Sequence, residues 1–104
     1  MKKKLKHPGR VLFEDYLSPL DICPADMVKA TGLGQRHLYN LQAGSNRINS
    51  KVALAVERWT GIPARHLLEL QMNYDLQEAG AEFATKLRKI KPRPDRRKLA
   101  GVWR

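Results

Sequence analysis

Three observations predict an all-α fold. Apolar residues recur at three- and four-residue spacing from Val11 to Ile90, Gly or Pro punctuates nearly every such run, and alternating strand patterns are scarce. A chain of 104 residues with 42% hydrophobic content can bury one core, so five helices around a single small core is the economical arrangement, with a possible extra C-terminal helix.

Pro8-Gly9 opens helix 1, whose stripe is Val11, Leu12, Tyr16 and Leu17, and Ser18-Pro19 is expected to stop it. After the short connection Asp21-Ile22-Cys23, Pro24 suits the first turn of helix 2. Its Met27, Val28 and Thr31 share a face before Gly32 permits a left-handed turn. Leu33, Leu38 and Leu41 anchor helix 3 inward until Gly44 ends it. Asn49 or Ser50 can cap helix 4, which carries Val52, Ala53, Val56 and Trp59 and closes at Thr60-Gly61. Pro63 starts helix 5, with Leu67, Leu68, Leu70, Gln71, Tyr74 and Leu76. Phe83, Leu87 and Ile90 then repeat at i, i+4, i+7, before Lys91-Pro92-Arg93-Pro94 breaks the pattern and a tail follows.

From Ile22 to Leu54, two short amphipathic helices separated by a glycine turn have helix-turn-helix spacing. The second helix of such a unit enters the DNA major groove while the first crosses the backbone. Helix 3 leaves Gln35, Arg36, His37, Tyr39, Asn40 and Gln42 facing out. Arg grips guanine O6 and N7, Gln or Asn pairs with adenine N6 and N7, and a Tyr reaches sugar or phosphate. The following loop, Gly44-Ser45-Asn46-Arg47, has the composition of a phosphate contact. The expected DNA-binding set is therefore Gln35, Arg36, His37, Tyr39, Asn40, Ser45, Asn46 and Arg47. A merely solvated helix face is the plain alternative, and the whole order of elements argues against it.

The net charge of +10 sits at the ends. Residues 1–10 carry Lys2, Lys3, Lys4, Lys6 and Arg10, and residues 86–104 carry nine basic side chains against Asp95 alone. Residues 11–85 hold six basic and nine acidic groups, a net −3, so DNA binding must rest on where Arg36, Arg47, Lys51 and the tails lie. The domain reading is a basic N-terminal arm at 1–6, a helix-turn-helix domain at 7–78 and a basic C-terminal extension at 79–104. No signal-peptide pattern or apolar run of membrane-spanning length appears, and a single cysteine, Cys23, excludes an intramolecular disulfide, so a reducing cytoplasmic setting is expected.

Beyond the motif, His7-Pro8-Gly9-Arg10-Val11-Leu12, Tyr16-Leu17-Ser18-Pro19-Leu20, Gly44, Ile48-Asn49, Ala53-Leu54 and Leu68-Glu69-Leu70-Gln71-Met72-Asn73-Tyr74-Asp75-Leu76 stand in order. Over residues 7–78 the chain thereby resembles the HigA antitoxin family, VapI-type proteins of the Cro/repressor helix-turn-helix class. The resemblance implies a five-helix Cro/repressor-like domain, usually a homodimer. It further implies an antitoxin of a type II toxin-antitoxin module that represses its own operon through double-stranded operator DNA and neutralises a HigB/RelE-like ribonuclease toxin. The chain departs from the family where Cys23-Pro24 replaces a Ser-Gln pair whose Gln clamps a phosphate, where His66-Leu67 replaces an aromatic pair, and at Glu57, where a small residue is usual.

Other readings are a free-standing regulator, or a protein-interaction module with weak DNA binding. A small basic ribonuclease is disfavoured, because such folds need a sheet and no general acid/base pair is evident here. No catalytic residue, metal or cofactor is expected, His7, His37 and His66 being far apart in sequence. His7 is read as part of the entry to helix 1, His66 as a partly buried packing residue, Cys23 as a small buried hydrophobe, Trp59 and Tyr74 as core or dimer residues, and Trp103 as a tail aromatic.

Overall fold

The computed structural model describes residues 4–95, 97, 98 and 101; Lys2, Lys3 and Trp103 lie outside them. Among the described residues all regular secondary structure is helical, without strands. The α-helices are α1 (Pro8–Arg10), α2 (Pro24–Thr31), α3 (Gln35–Ala43), α4 (Ser50–Thr60), α5 (Ala64–Glu82) and α6 (Ala84–Lys89). α1 runs without a break into a π-helical segment, Val11–Leu17, and then a 3-10 turn, Ser18–Leu20.

That first element corrects the sequence reading. A 3.6-residue period selects Val11, Leu12, Tyr16 and Leu17, but the buried set is Pro8, Gly9, Leu12, Phe13 and Leu17. The wider π winding brings positions four and five apart onto one face, so Phe13 enters the core, 2% exposed, while Val11 is only half-buried. Ser18-Pro19 does not stop the helix outright. It tightens the last turn, which ends at Asp21 in a left-handed conformation (φ 61°).

The helix ends follow sequence chemistry. The Asp26 carboxylate accepts a hydrogen bond from the backbone N–H of Cys23 at 2.9 Å, and this lowers the Asp26 pKa from the ordinary value. Asn49, not Ser50, caps α4 by accepting from the Val52 N–H at 2.9 Å. Glu57 accepts the otherwise orphaned Ala64 N–H at the start of α5, 3.0 Å away.

One core joins these elements, built from Leu12, Phe13, Leu17, Met27, Leu38, Leu41, Ile48, Val52, Val56 and Leu67. Gly9 allows α1 to lie against α3, since a Cβ at that position would meet the Leu41 carbonyl oxygen at 2.1 Å. Three expectations are revised here. Cys23 is exposed, because the N-cap position it occupies faces solvent. His66 is exposed too, hydrogen-bonding through Nε2 to the Tyr16 hydroxyl at 2.8 Å and stacking on its ring. Leu76 is 65% exposed, and the sixth helix forms but leaves Phe83, Leu87 and Ile90 uncovered.

Candidate nucleic-acid interface

α2, the turn through Gly32 (φ 72°) and α3 form the helix-turn-helix. α3 ends at Gly44 (φ 87°), a conformation that costs other residues strain. With 100° between successive residues, Leu38 and Leu41 define the inward side of α3. Arg36, Tyr39 and Ala43 are exposed on the opposite side, and Gln35 and Gln42 are exposed on the flanks. The expected base-contacting set is thus partly sorted. Gln35, Arg36 and Tyr39 project freely, Tyr39 being 42% exposed, and Gln42 joins them. His37 and Asn40 are half-buried.

The loop after α3 is held by its own side chains. The Asn46 amide donates to the His37 backbone oxygen at 3.3 Å and lies 3.2 Å from His37 Nδ1, tying the loop back to the helix it leaves. The Ser45 N–H donates to the Asn40 carbonyl at 2.8 Å, which closes the helix end and leaves the Ser45 side chain exposed. Of the expected contacts, Asn46 in the loop and His37 on α3 therefore spend polar groups inside the chain, whereas Ser45 keeps its hydroxyl outward.

A second brace comes from α5. Gln71, the one polar side chain among the described buried residues, is 3% exposed. Its Oε1 accepts the Ile48 backbone N–H at 2.8 Å, and its Nε2 donates to Asp75 Oδ1 at 2.9 Å. The other oxygen of Asp75 pairs with the Arg47 guanidinium, two-thirds of whose side chain remains exposed. On the same turn, Tyr74 packs edge-on against the His7 ring, centroids 5.1 Å apart. His7 in turn accepts the Gly9 N–H on Nδ1 at 3.0 Å, which caps α1. Desolvation is the largest influence on His7 and pushes its pKa below the ordinary imidazole value.

Sequence reasoning placed Gln71 in an apolar stripe and did not connect it with Arg47. The available signal was its spacing to Asp75, i and i+4 on one helix face.

The positive field is smaller than the composition suggests. Lys6 pairs with Asp15 (3.0 Å) and Glu14 (3.2 Å), and Arg10 pairs with Glu14 (2.8 Å). Arg36 and Lys51 are exposed, as are Lys86, Arg88 and Lys89 in the last turn of α6. Among the described residues no three His, Cys, Asp or Glu groups converge as metal ligands, and no helix is long and apolar enough to cross a membrane.

An all-helical domain that presents an exposed polar face on the second helix of a glycine-punctuated pair is a helix-turn-helix protein. Virulence-associated protein I of Dichelobacter nodosus is 30% identical to it over 73 residues, covering 70% of this chain and 68% of that protein. The chain belongs to the family of this protein, the VapI type. No family model matches. Among solved structures, the Pseudomonas aeruginosa antitoxin HigA with the higBA promoter shares the fold at a TM-score of 0.79 and 24% identity, covering 86% of this chain and 98% of that one. An addiction module antidote protein of the HigA family from Coxiella burnetii gives 0.78 and 22%, covering 88% and 100%.

Proposed function

We propose that this protein is a sequence-specific DNA-binding autorepressor and the antitoxin of a type II toxin-antitoxin module, working in the cytoplasm and without catalytic activity of its own. The observation that carries this reading is the free α3 face on a braced helix-turn-helix. Among the described residues Gln35, Arg36, Tyr39 and Gln42 make no side-chain hydrogen bond or ion pair, while His37, Asn46 and Arg47 do. A relative solved with its promoter supports the same use of the fold.

In this reading residues 7–78 are the DNA-binding domain, and the arm at 1–6 and the extension at 79–104 add positive charge beside it. A homodimer places two copies of α3 in successive major grooves about 34 Å apart. Arg36 and Gln35 reach base edges from the first turn of α3, and Tyr39 reaches sugar or phosphate. Ser45 and Arg47 meet phosphate oxygens, with Asn46 and His37 fixing the loop between them and Asn40 at the edge of the contact. The toxin partner is a HigB-like ribonuclease.

The test is a gel shift with duplex DNA taken from immediately upstream of the protein's own operon, set against a scrambled duplex of equal length. Preferential retardation of the upstream duplex is expected, and equal binding to both would defeat the repressor reading. Co-expression with the product of the neighbouring reading frame tests the antitoxin half, with a stable complex and suppressed ribonuclease activity as the expected result. A second reading, a protein-interaction module with weak DNA binding, is favoured by the net −3 charge of residues 11–85 and by the pairing of Lys6, Arg10 and Arg47 with acids. It expects the toxin complex without a sequence-dependent shift.

A further inference from the structure

We infer that Asp75 is a positioning residue for DNA binding: from α5 it aims the Arg47 guanidinium at the phosphate backbone beside the recognition helix. The inference rests on the DNA-binding reading and adds to it a residue outside the helix-turn-helix. The geometry is a relay. Ile48, 2% exposed, anchors the end of the loop in the core, and its N–H is held by Gln71. Gln71 fixes one oxygen of Asp75 through a part-buried hydrogen bond, which the carboxylate must break to rotate. The other oxygen is thereby presented to the Arg47 side chain, one residue before the anchor.

Arg47 is where such a hold has most effect. Arg is long and flexible, and a free guanidinium surrenders much rotamer freedom on meeting a phosphate. The contact to Asp75 uses one terminal nitrogen of a group that carries five N–H donors. The remaining donors stay available on a side chain that is 67% exposed. A carboxylate on one edge and a phosphate on the other is a geometry that a planar guanidinium accommodates and an ammonium does not. A solvent-exposed ion pair contributes little to folding, so stability alone is a weak account of a pair backed by a buried glutamine.

The experiment is a double-mutant cycle in the full chain with Asp75→Asn, Arg47→Ala and both together, titrating the upstream duplex and a scrambled duplex at several salt concentrations. Asparagine retains an oxygen for the Gln71 amide and removes the charge that holds Arg47. Each single variant is expected to weaken binding to both duplexes by several-fold and to flatten the salt slope by ~0.9, the loss of one phosphate contact. The double variant is expected to be no weaker than the worse single one.

Additive losses, or unchanged binding by Asp75→Asn, would overturn the inference. Tighter binding by Asp75→Asn would also overturn it, making Asp75 a competitor of DNA for Arg47. Arg47→Lys keeps the charge at an exposed position and does not depend on refolding of the core. It is expected to bind as weakly as Arg47→Ala, and wild-type affinity would again overturn the positioning role. If the wild-type chain shifts no duplex, the DNA-binding reading falls and this inference with it, an outcome distinct from binding without coupling.

Discussion

The outward face of α3 and the inward turn of α5 use the same residue types to opposite ends. On α3, Gln35, Arg36, Tyr39 and Gln42 project into solvent. On α5, Gln71, Tyr74 and Asp75 are consumed by the chain itself, holding Ile48, His7 and Arg47. Polar identity alone therefore does not mark a binding surface. A polar group whose hydrogen bonds are satisfied internally orders the structure, and one left free on a rigid support is available to a partner. In this chain the second depends on the first, because the α5 turn fixes the loop that follows the exposed helix.

The largest effect on this division is expected where the supporting frame is most crowded. Gly9→Ala places a methyl group 2.1 Å from the Leu41 carbonyl oxygen, so α1 and α3 must separate. A loss of ~3 kcal/mol is expected, at the upper end of overpacking costs. Thermal unfolding measures it, and an unchanged melting temperature would mean that α1 does not clamp α3.

Next comes Gln71→Leu, which keeps the volume but strands the buried Ile48 N–H. A loss of about 2 kcal/mol is expected in denaturant titration, within the range for an unsatisfied buried donor. Gln35→Ala and Gln42→Ala on the free face serve as the contrast and are expected to stay within about 0.5 kcal/mol of wild type. Equal effects at Gln71 and Gln35 would erase the distinction between the two regions.

The smallest effect concerns pH. His7 holds the start of α1 through Nδ1 in its unprotonated form, and burial lowers its pKa in the folded chain. The unfolded chain therefore binds the proton more readily, and this contribution to stability is fully present above the ordinary imidazole value and lost as pH falls through the folded one. Stability is expected to decline as pH falls below about 6.5. His7→Asn, whose side chain also accepts at an N-cap, is expected to flatten the decline. An identical pH profile in the variant would remove His7 from the account.

Much of this was legible in the sequence. Gly32, Gly44 and Gly61 mark helix ends because each takes a positive φ that other residues adopt only with strain, and the cap of α4 was narrowed to Asn49 or Ser50. Phe13 was not legible, because a π-wound segment shifts the buried register away from the 3.6-residue period. Nor was the fate of the loop. Ile48 and Gln71 lie 23 residues apart, and only the packing of α4 and α5 decides that a glutamine in an apolar stripe meets a backbone N–H. The same reason separates the expected site residues. Gln35, Arg36 and Tyr39 were readable from helical phase, whereas the internal partners of His37, Asn46 and Arg47 come from chain segments that phase does not describe.

The proposed function divides the labour, with the α3 face reading sequence and the braced loop holding phosphate. The most direct measurement compares Arg36→Ala and Arg47→Ala with wild type on the upstream duplex and on a scrambled one. Arg36→Ala is expected to lose ~1–3 kcal/mol on the upstream duplex alone, relaxing sequence preference. Arg47→Ala is expected to weaken both duplexes alike and to reduce the salt slope by ~0.9. If both substitutions lower affinity by the same sequence-independent factor, Arg36 does not read bases and the division of labour is wrong.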